Sequence, residues 1–176
     1  MSRKLHIGGQ MKKDGWEILD ALPGPDVDHT CNANDLSIFE DNTFTEIYAS
    51  HILEHFDYHE ELSQTLKEWN RVLAPKGKIY ISVPDMDILA ELFLLKDQLN
   101  VGQRFQVMRM IFGAHVDKYD HHSVGLNGEF LATYLDQSGF TNIERVKEFN
   151  IFKDASSGKF GGVLISLNVI AEKPAE

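Results

Sequence analysis

Apolar and polar positions first alternate with a period of two. Lys4-Leu5-His6-Ile7 predicts a short strand that runs into Gly8-Gly9. Trp16-Glu17-Ile18-Leu19-Asp20 predicts a second strand that ends on an acid. Pro23-Gly24-Pro25 marks a turn. Val27 to Cys31 predicts a weak third strand, and Thr45-Glu46-Ile47-Tyr48-Ala49 a fourth. From Glu60 to Leu73 the period lengthens: Leu62, Leu66, Trp69 and Leu73 fall on one face of a helix, with Pro75-Lys76-Gly77 as its stop. Lys78 to Val83 predicts the clearest strand, ended by Pro84, and Asp87 is expected to cap a helix through Ala90, Leu92 and Phe93. Further helices are expected over Arg104 to Phe112 and from Asn127 or Gly128 through Leu135, the latter stopped by Gly139. Asn142 to Glu148 and Val163 to Ala171 read as strands, and the nearly unbroken apolarity of the second predicts burial.

Strands that alternate with helices need crossover connections, and so a mostly parallel sheet. The expected fold is α/β, a doubly wound Rossmann-like sheet in a single domain over residues 1–176. The two late strands lack a helix between them and predict an antiparallel hairpin at the sheet edge. In such sheets ligands bind beyond the carboxyl ends of the strands. Here those ends are Gly8-Gly9, Asp20, Cys31-Asn32, Ala49-Ser50 and Val83-Pro84-Asp85.

Composition narrows the choice of partner. Lys and Arg number 17 against 27 Asp and Glu, a formal net charge of -10. Such a surface repels a phosphate backbone, so nucleic acid is not an expected partner. No apolar run reaches the ~18 residues of a membrane span, and the basic start at Arg3-Lys4 is not followed by the apolar stretch of a signal peptide. The single cysteine, Cys31, leaves no disulfide framework, and a reducing cytoplasm is the expected setting. Cys31 itself reads as a small buried hydrophobe.

Glycines after the first strand allow a ligand to approach the backbone, and a carboxylate at Asp20 can accept two hydrogen bonds from a ribose diol. Twelve residues separate Gly8 from Asp20. That is short of the ~20 residues of a dinucleotide fold, and neither G-x-G-x-x-G nor the phosphate-binding G-x-x-x-x-G-K-[ST] occurs. His51-Ile52-Leu53-Glu54-His55 matches H-x-x-E-H, in which His51 and His55 would ligate zinc and Glu54 would act as base. A start immediately after a strand argues against both histidines sharing a helix face, so no metal site is assigned. The Arg104–Phe112 helix carries Met108, Arg109 and Met110; core packing is favoured there over a substrate pocket or homodimer face. Lys153 to Lys159 reads as a polar hairpin loop between the last two strands.

Read in order, several segments resemble the class I S-adenosylmethionine-dependent methyltransferases, in particular the small type-11 group. They are Leu5-His6-Ile7-Gly8-Gly9, Gly15 to Asp20, Asn32-Ala33-Asn34-Asp35-Leu36, Asp41 to His55, Arg71 to Lys78 and Ile81-Ser82-Val83-Pro84-Asp85. The most specific is Asp41-Asn42-Thr43-Phe44 with Ser50-His51-Ile52-Leu53-Glu54-His55, followed by Arg71-Val72-Leu73-Ala74-Pro75-Lys76-Gly77. The resemblance implies a seven-stranded sheet with its last strand antiparallel and a helical insertion at about residues 86–128. It implies S-adenosyl-L-methionine as cofactor, with S-adenosyl-L-homocysteine as product. It places the methionine end against Gly8, Gly9 and Gln10, the ribose on Asp20, the adenine beside Asn32, Ala33 and Asn34, and the sulfonium near Ser50 and His51. His121 or His122, in a segment that would cover the cofactor, is the expected proton acceptor. The implied reaction is methyl transfer to an oxygen or nitrogen of a small-molecule or carbohydrate-like acceptor. Two departures stand out: the first loop reads Gly8-Gly9-Gln10 where the family carries Gly-x-Gly, and almost no chain is left for a helix between the first two strands. A cofactor-binding module without catalysis is therefore the second reading, and a zinc hydrolase the third.

Overall fold

The computed structural model describes residues 2–116 and 118–175. Five strands arise where alternation was read: β1 (Arg3–Ile7), β2 (Trp16–Asp20), β3 (His29–Thr30), β4 (Phe44–Ser50) and β5 (Leu73–Pro84). Helix α1 (Glu61–Val72) joins β4 to β5. Helices α2 (Met86–Leu94), α3 (Val101–Phe112) and α4 (Gly128–Gln137) separate β5 from β6 (Thr141–Val146). A small hairpin, β7 (Lys159–Phe160) with β8 (Val163–Leu164), precedes β9 (Ser166–Glu172).

The main sheet has seven strands in the order β3-β2-β1-β4-β5-β9-β6. Six run in one direction, and β9 is antiparallel to both its neighbours, β5 and β6. The expected pair of late strands thus forms, with β9 inserted next to β5. Between two strands, β9 buries Leu167, Val169 and Ala171 together with Ser166 and Asn168, while the first two residues of the apolar run read from Val163 form β8 instead.

Two expectations change. The helix over residues 61–72 is not stopped by Pro75-Lys76-Gly77, because β5 begins at Leu73 and runs through it. The strand stays paired there, since Lys76 N donates to Lys173 O while Lys76 takes φ +61°. The cap of α2 is Asp85 and not Asp87: the Asp85 carboxylate accepts from the backbone N–H groups of Asp87 and Ile88. Asp85 is 1% exposed and also pairs with Arg145 Nη2 at 2.7 Å.

Alternation sorts the sheet into two faces. Leu5, Ile7, Leu19, Ile47, Ala49, Ile79, Ile81 and Val83 join one core with Leu62, Leu66, Trp69 and Val72 of α1 and Leu131 and Leu135 of α4. The opposite side chains are of a different kind. Lys4, Glu46, Lys78 and Glu172 are successive register partners across β1, β4, β5 and β9. They form a row of alternating charge, closed by Lys4–Glu46 at 2.6 Å and Lys78–Glu172 at 3.4 Å. The next row, His6, Tyr48 and Tyr80, is covered by loop aromatics: Phe152 lies 4.0 Å from the His6 ring and 4.8 Å from Tyr48, and Phe149 5.5 Å from Tyr48.

Among the described residues no helix joins β1 to β2, β2 to β3 or β3 to β4. Side chains of α1 brace the last of these connections, between β3 and β4. Arg71 donates to the carbonyls of Leu36 and Phe39 and to the carboxylates of Glu68 and Asp41. Trp69 Nε1 donates to Ala33 O at 2.7 Å from a fully buried ring.

Candidate functional site

The carboxyl ends of β1, β2, β3 and β4 open on a cavity of about 660 Å³. Its wall includes Gly8, Asp20, Asn32, Ala33 and Asn34, together with His121. A second hollow of about 500 Å³ shares Gly8, Asp20 and Ile52 with the first. It takes in Gln10, Ser50, His51 and Lys153-Asp154-Ala155. Apart from Gly9 and His122, the sequence-predicted residues therefore divide between two adjoining spaces that meet at Gly8, Asp20 and Ile52.

Gly8 has φ +70°, and its N–H donates to Leu19 O at 2.7 Å. A Cβ built on Gly8 would lie 2.2 Å from Ile52 Cδ1. The bare backbone here faces both spaces. Gly9 lies outside both: its absent Cβ makes room for His6, whose Nδ1 would be 2.6 Å away. One oxygen of Asp20, Oδ1, accepts from Leu22 N at 2.8 Å, which fixes the carboxylate at the end of β2. Asn34 Nδ2 donates to Glu61 Oε1 at 2.7 Å, and Glu61 Oε2 accepts from Asp57 N. The segment that follows β3 is thus anchored twice, through Asn34 and through Ala33 O.

The adjacent histidines point apart. His121 is exposed, lines the larger cavity and stacks on His115 at 4.5 Å. His122 faces a separate hollow beside Arg109, Met110 and Asp120, and its Nδ1 lies 3.2 Å from Ile111 O. Burial holds the His122 imidazole below the usual histidine range, against the raising effect of Glu54. His51 takes φ +57° directly after β4 and precedes a three-residue 3-10 turn, Leu53–His55. Ser166 Oγ donates to Ala155 O, so it accepts from His51 Nε2–H at 3.0 Å. His51 is accordingly turned toward β9, away from the face that H-x-x-E-H on a helix would give it. Cys31 is half-buried, and burial raises its thiol pKa, as suits a packing role.

Sequence reasoning missed Leu22, Phe56, Glu61, Lys118, Tyr119 and Ser123 at the larger cavity. Phe56 directly follows the histidine-rich motif, and Glu61 opens α1, so both had a positional signal. Lys118, Tyr119 and Ser123 reach the wall only through the fold.

His6 sits at the rear of the second hollow, 5% exposed, and burial pushes its pKa down to about 4. The folded state favours the neutral ring, while the unfolded chain takes up a proton near the ordinary value of ~6.5. This contribution to stability is complete above ~6.5 and is lost as pH falls toward 4. Between pH 7 and 5 the wild type should lose about 2 kcal/mol more stability than His6→Phe. Urea unfolding of both proteins at the two pH values checks this; equal losses would reject it.

Residues 19–81 match the type-11 family model described as "Methyltransferase domain". No curated protein sequence matches the chain significantly. Solved structures that share the fold include the CurJ carbon methyltransferase, at 18% identity and TM-score 0.57, covering 98% of this chain and 48% of that one. A SAM-dependent methyltransferase from Methanosarcina mazei is 16% identical with TM-score 0.60, covering 99% and 93%. One from Archaeoglobus fulgidus is 16% identical with TM-score 0.61, covering 98% and 86%. The chain thus spans about half the length of the CurJ carbon methyltransferase chain. It has the fold of the class I S-adenosylmethionine-dependent methyltransferases, and residues 19–81 are similar to the type-11 methyltransferase domain. The cofactor of that family is S-adenosylmethionine. No helix among the described residues is long and apolar enough to cross a membrane.

Proposed function

We propose that this chain binds S-adenosylmethionine in the 660 Å³ cavity and transfers its methyl group to an oxygen or nitrogen of a small-molecule or carbohydrate-like acceptor. One observation carries the reading: Gly8, Asp20, Asn32, Ala33 and Asn34 come from the ends of three different parallel strands and line one cavity. The cofactor would supply a methyl carbon made electrophilic by a sulfonium. Asp20 would accept hydrogen bonds from the ribose hydroxyls, Gly8 would admit the chain leading to the methionine end, and Leu22, Ile52 and Phe56 would pack against the faces of the adenine ring. The acidic surface supports an acceptor other than nucleic acid.

What remains for the protein is to hold an acceptor in line and take its proton. Alignment alone can supply up to ~7–11 kcal/mol of a barrier. His121 is the proposed base, since of the two adjacent histidines it is the one on the cavity wall. Lys153, Asp154 and Ala155, beside His51 in the adjoining hollow, are the proposed acceptor side.

The test is calorimetric titration with S-adenosylmethionine and S-adenosylhomocysteine. Micromolar binding of both is expected, and no binding up to millimolar concentration would reject the reading. Asp20→Ala should weaken binding by about 1–3 kcal/mol, the range for hydrogen bonds to a charged group. An unchanged affinity would remove Asp20 from the site. Binding of both compounds without methylation of any acceptor would favour a non-catalytic module, the second reading that the shortened β1–β2 connection supports.

A further inference from the structure

Glu54, His55 and His122 form a cluster that methyl transfer does not use. One ligand atom from each lies within 4.8 Å of the other two. Glu54 is 1% exposed, and among the described residues neither carboxylate oxygen has a hydrogen-bond partner. His51 Nδ1 is 3.2 Å from Glu54 Oε1 but is not aligned for a hydrogen bond. A buried carboxylate without a donor is costly, and such groups in native proteins call for an explanation, an ion among them.

The two imidazoles are oriented to provide one. His55 Nδ1 lies 3.1 Å from His121 O, and His122 Nδ1 lies 3.2 Å from Ile111 O. A carbonyl only accepts, so each Nδ1 carries the hydrogen and each Nε2 keeps its lone pair. Histidines that ligate metals are held in this way, the second nitrogen donating to a carbonyl or carboxylate. The two chain segments are also tied together by backbone. Ser123 N donates to Glu54 O at 2.7 Å, and Ser123 Oγ donates to His55 O at 3.2 Å.

We propose that Glu54, His55 and His122 bind one divalent ion of the zinc type, at the wall of the large cavity that His55 lines. Two imidazole nitrogens and one carboxylate oxygen are a donor set of catalytic zinc sites, which leave a fourth position open. Calcium and magnesium prefer oxygen ligands throughout. A tetrahedral ion with bonds of ~2.0–2.1 Å holds its ligands about 3.4 Å apart, so small side-chain rotations close the cluster. The set differs from that of the H-x-x-E-H motif: His51 is turned toward Ser166, and His122, 67 residues further on (122 − 55 = 67), takes its place. The ion would clamp the segment after α3 onto the turn after β4, and so would fix the side of the cavity that carries His121.

The proposal stands apart from the cofactor reading and is tested without activity. Tag-free protein, stripped with a chelator and dialysed, is titrated with zinc chloride. One equivalent should bind with sub-micromolar Kd and raise the melting temperature. Glu54→Gln and His122→Gln should each weaken binding at least tenfold, and His59→Gln, at an exposed histidine, should leave it unchanged. X-ray absorption of the zinc-loaded wild type gives a readout that does not depend on folded variants, and it should show two imidazole ligands. Absence of binding, equal affinity in the Glu54 and His122 variants, or fewer than two imidazoles would each overturn the site.

Discussion

Replacing Trp69 with alanine should cost about 3–5 kcal/mol, the range for truncating a large buried aromatic ring. The ring is fully buried in the core between α1 and the sheet, with no solvent to refill its space. The loss has a second part, because Trp69 Nε1 holds Ala33 O at 2.7 Å, beside the proposed adenine pocket. Trp69→Phe separates the two effects. It keeps most of the packing but leaves the carbonyl without its donor, at a cost of about 1–3 kcal/mol. Chemical denaturation of both variants measures stability, and titration with S-adenosylhomocysteine measures the pocket. The phenylalanine variant should fold and bind the nucleoside product more weakly. If it binds as tightly as wild type, the Ala33 carbonyl has no part in placing the cofactor.

The second large effect is expected at Gly8. In Gly8→Ala the new methyl would stand 2.2 Å from Ile52 Cδ1, at a φ of +70° that costs an L-residue roughly 1–2 kcal/mol. Ile52 can only escape by turning, and it borders both the large cavity and the adjoining hollow. Its movement fills space that the cofactor needs. Binding of S-adenosylhomocysteine should fall at least ~tenfold, equivalent to about 1.4 kcal/mol. Adding Ile52→Ala removes the clash but not the backbone strain. The double variant should therefore recover affinity while remaining less stable than wild type. If affinity does not recover, the backbone conformation itself, and not the displaced isoleucine, controls the pocket.

How much of this was legible before the structure differs by element. β1, β2 and β4 each carry an alternation that survives folding, and the stripe of Leu62, Leu66 and Trp69 belongs to a real helix. Pro75-Lys76-Gly77 misled because a proline near the start of a strand and one after a helix look alike in sequence. Asp85 and Asp87 flank the same helix start, and only the geometry shows which carboxylate reaches the free N–H groups. Asp20 and the Asn32–Asn34 segment were readable as strand ends. The division into two spaces was not, since it depends on where Ile52 projects. The Glu54–His55–His122 cluster joins residues far apart in sequence, and the spacing rule that drew attention to His51 assumed a helix. A residue at φ +57° followed by a 3-10 turn breaks that rule.

The loop aromatics over the sheet also constrain the order in which the protein can be made. Four parallel strands, β1 to β4, are complete by residue 50, yet the rings that cover His6 and Tyr48 belong to Phe149 and Phe152. During synthesis the first third of the chain therefore leaves the ribosome with an aromatic sheet face that it cannot close itself. Contacts so distant in sequence form slowly. In that segment Lys4 and Glu46, one register row from His6 and Tyr48, place charge beside the uncovered face while the cover is still being translated.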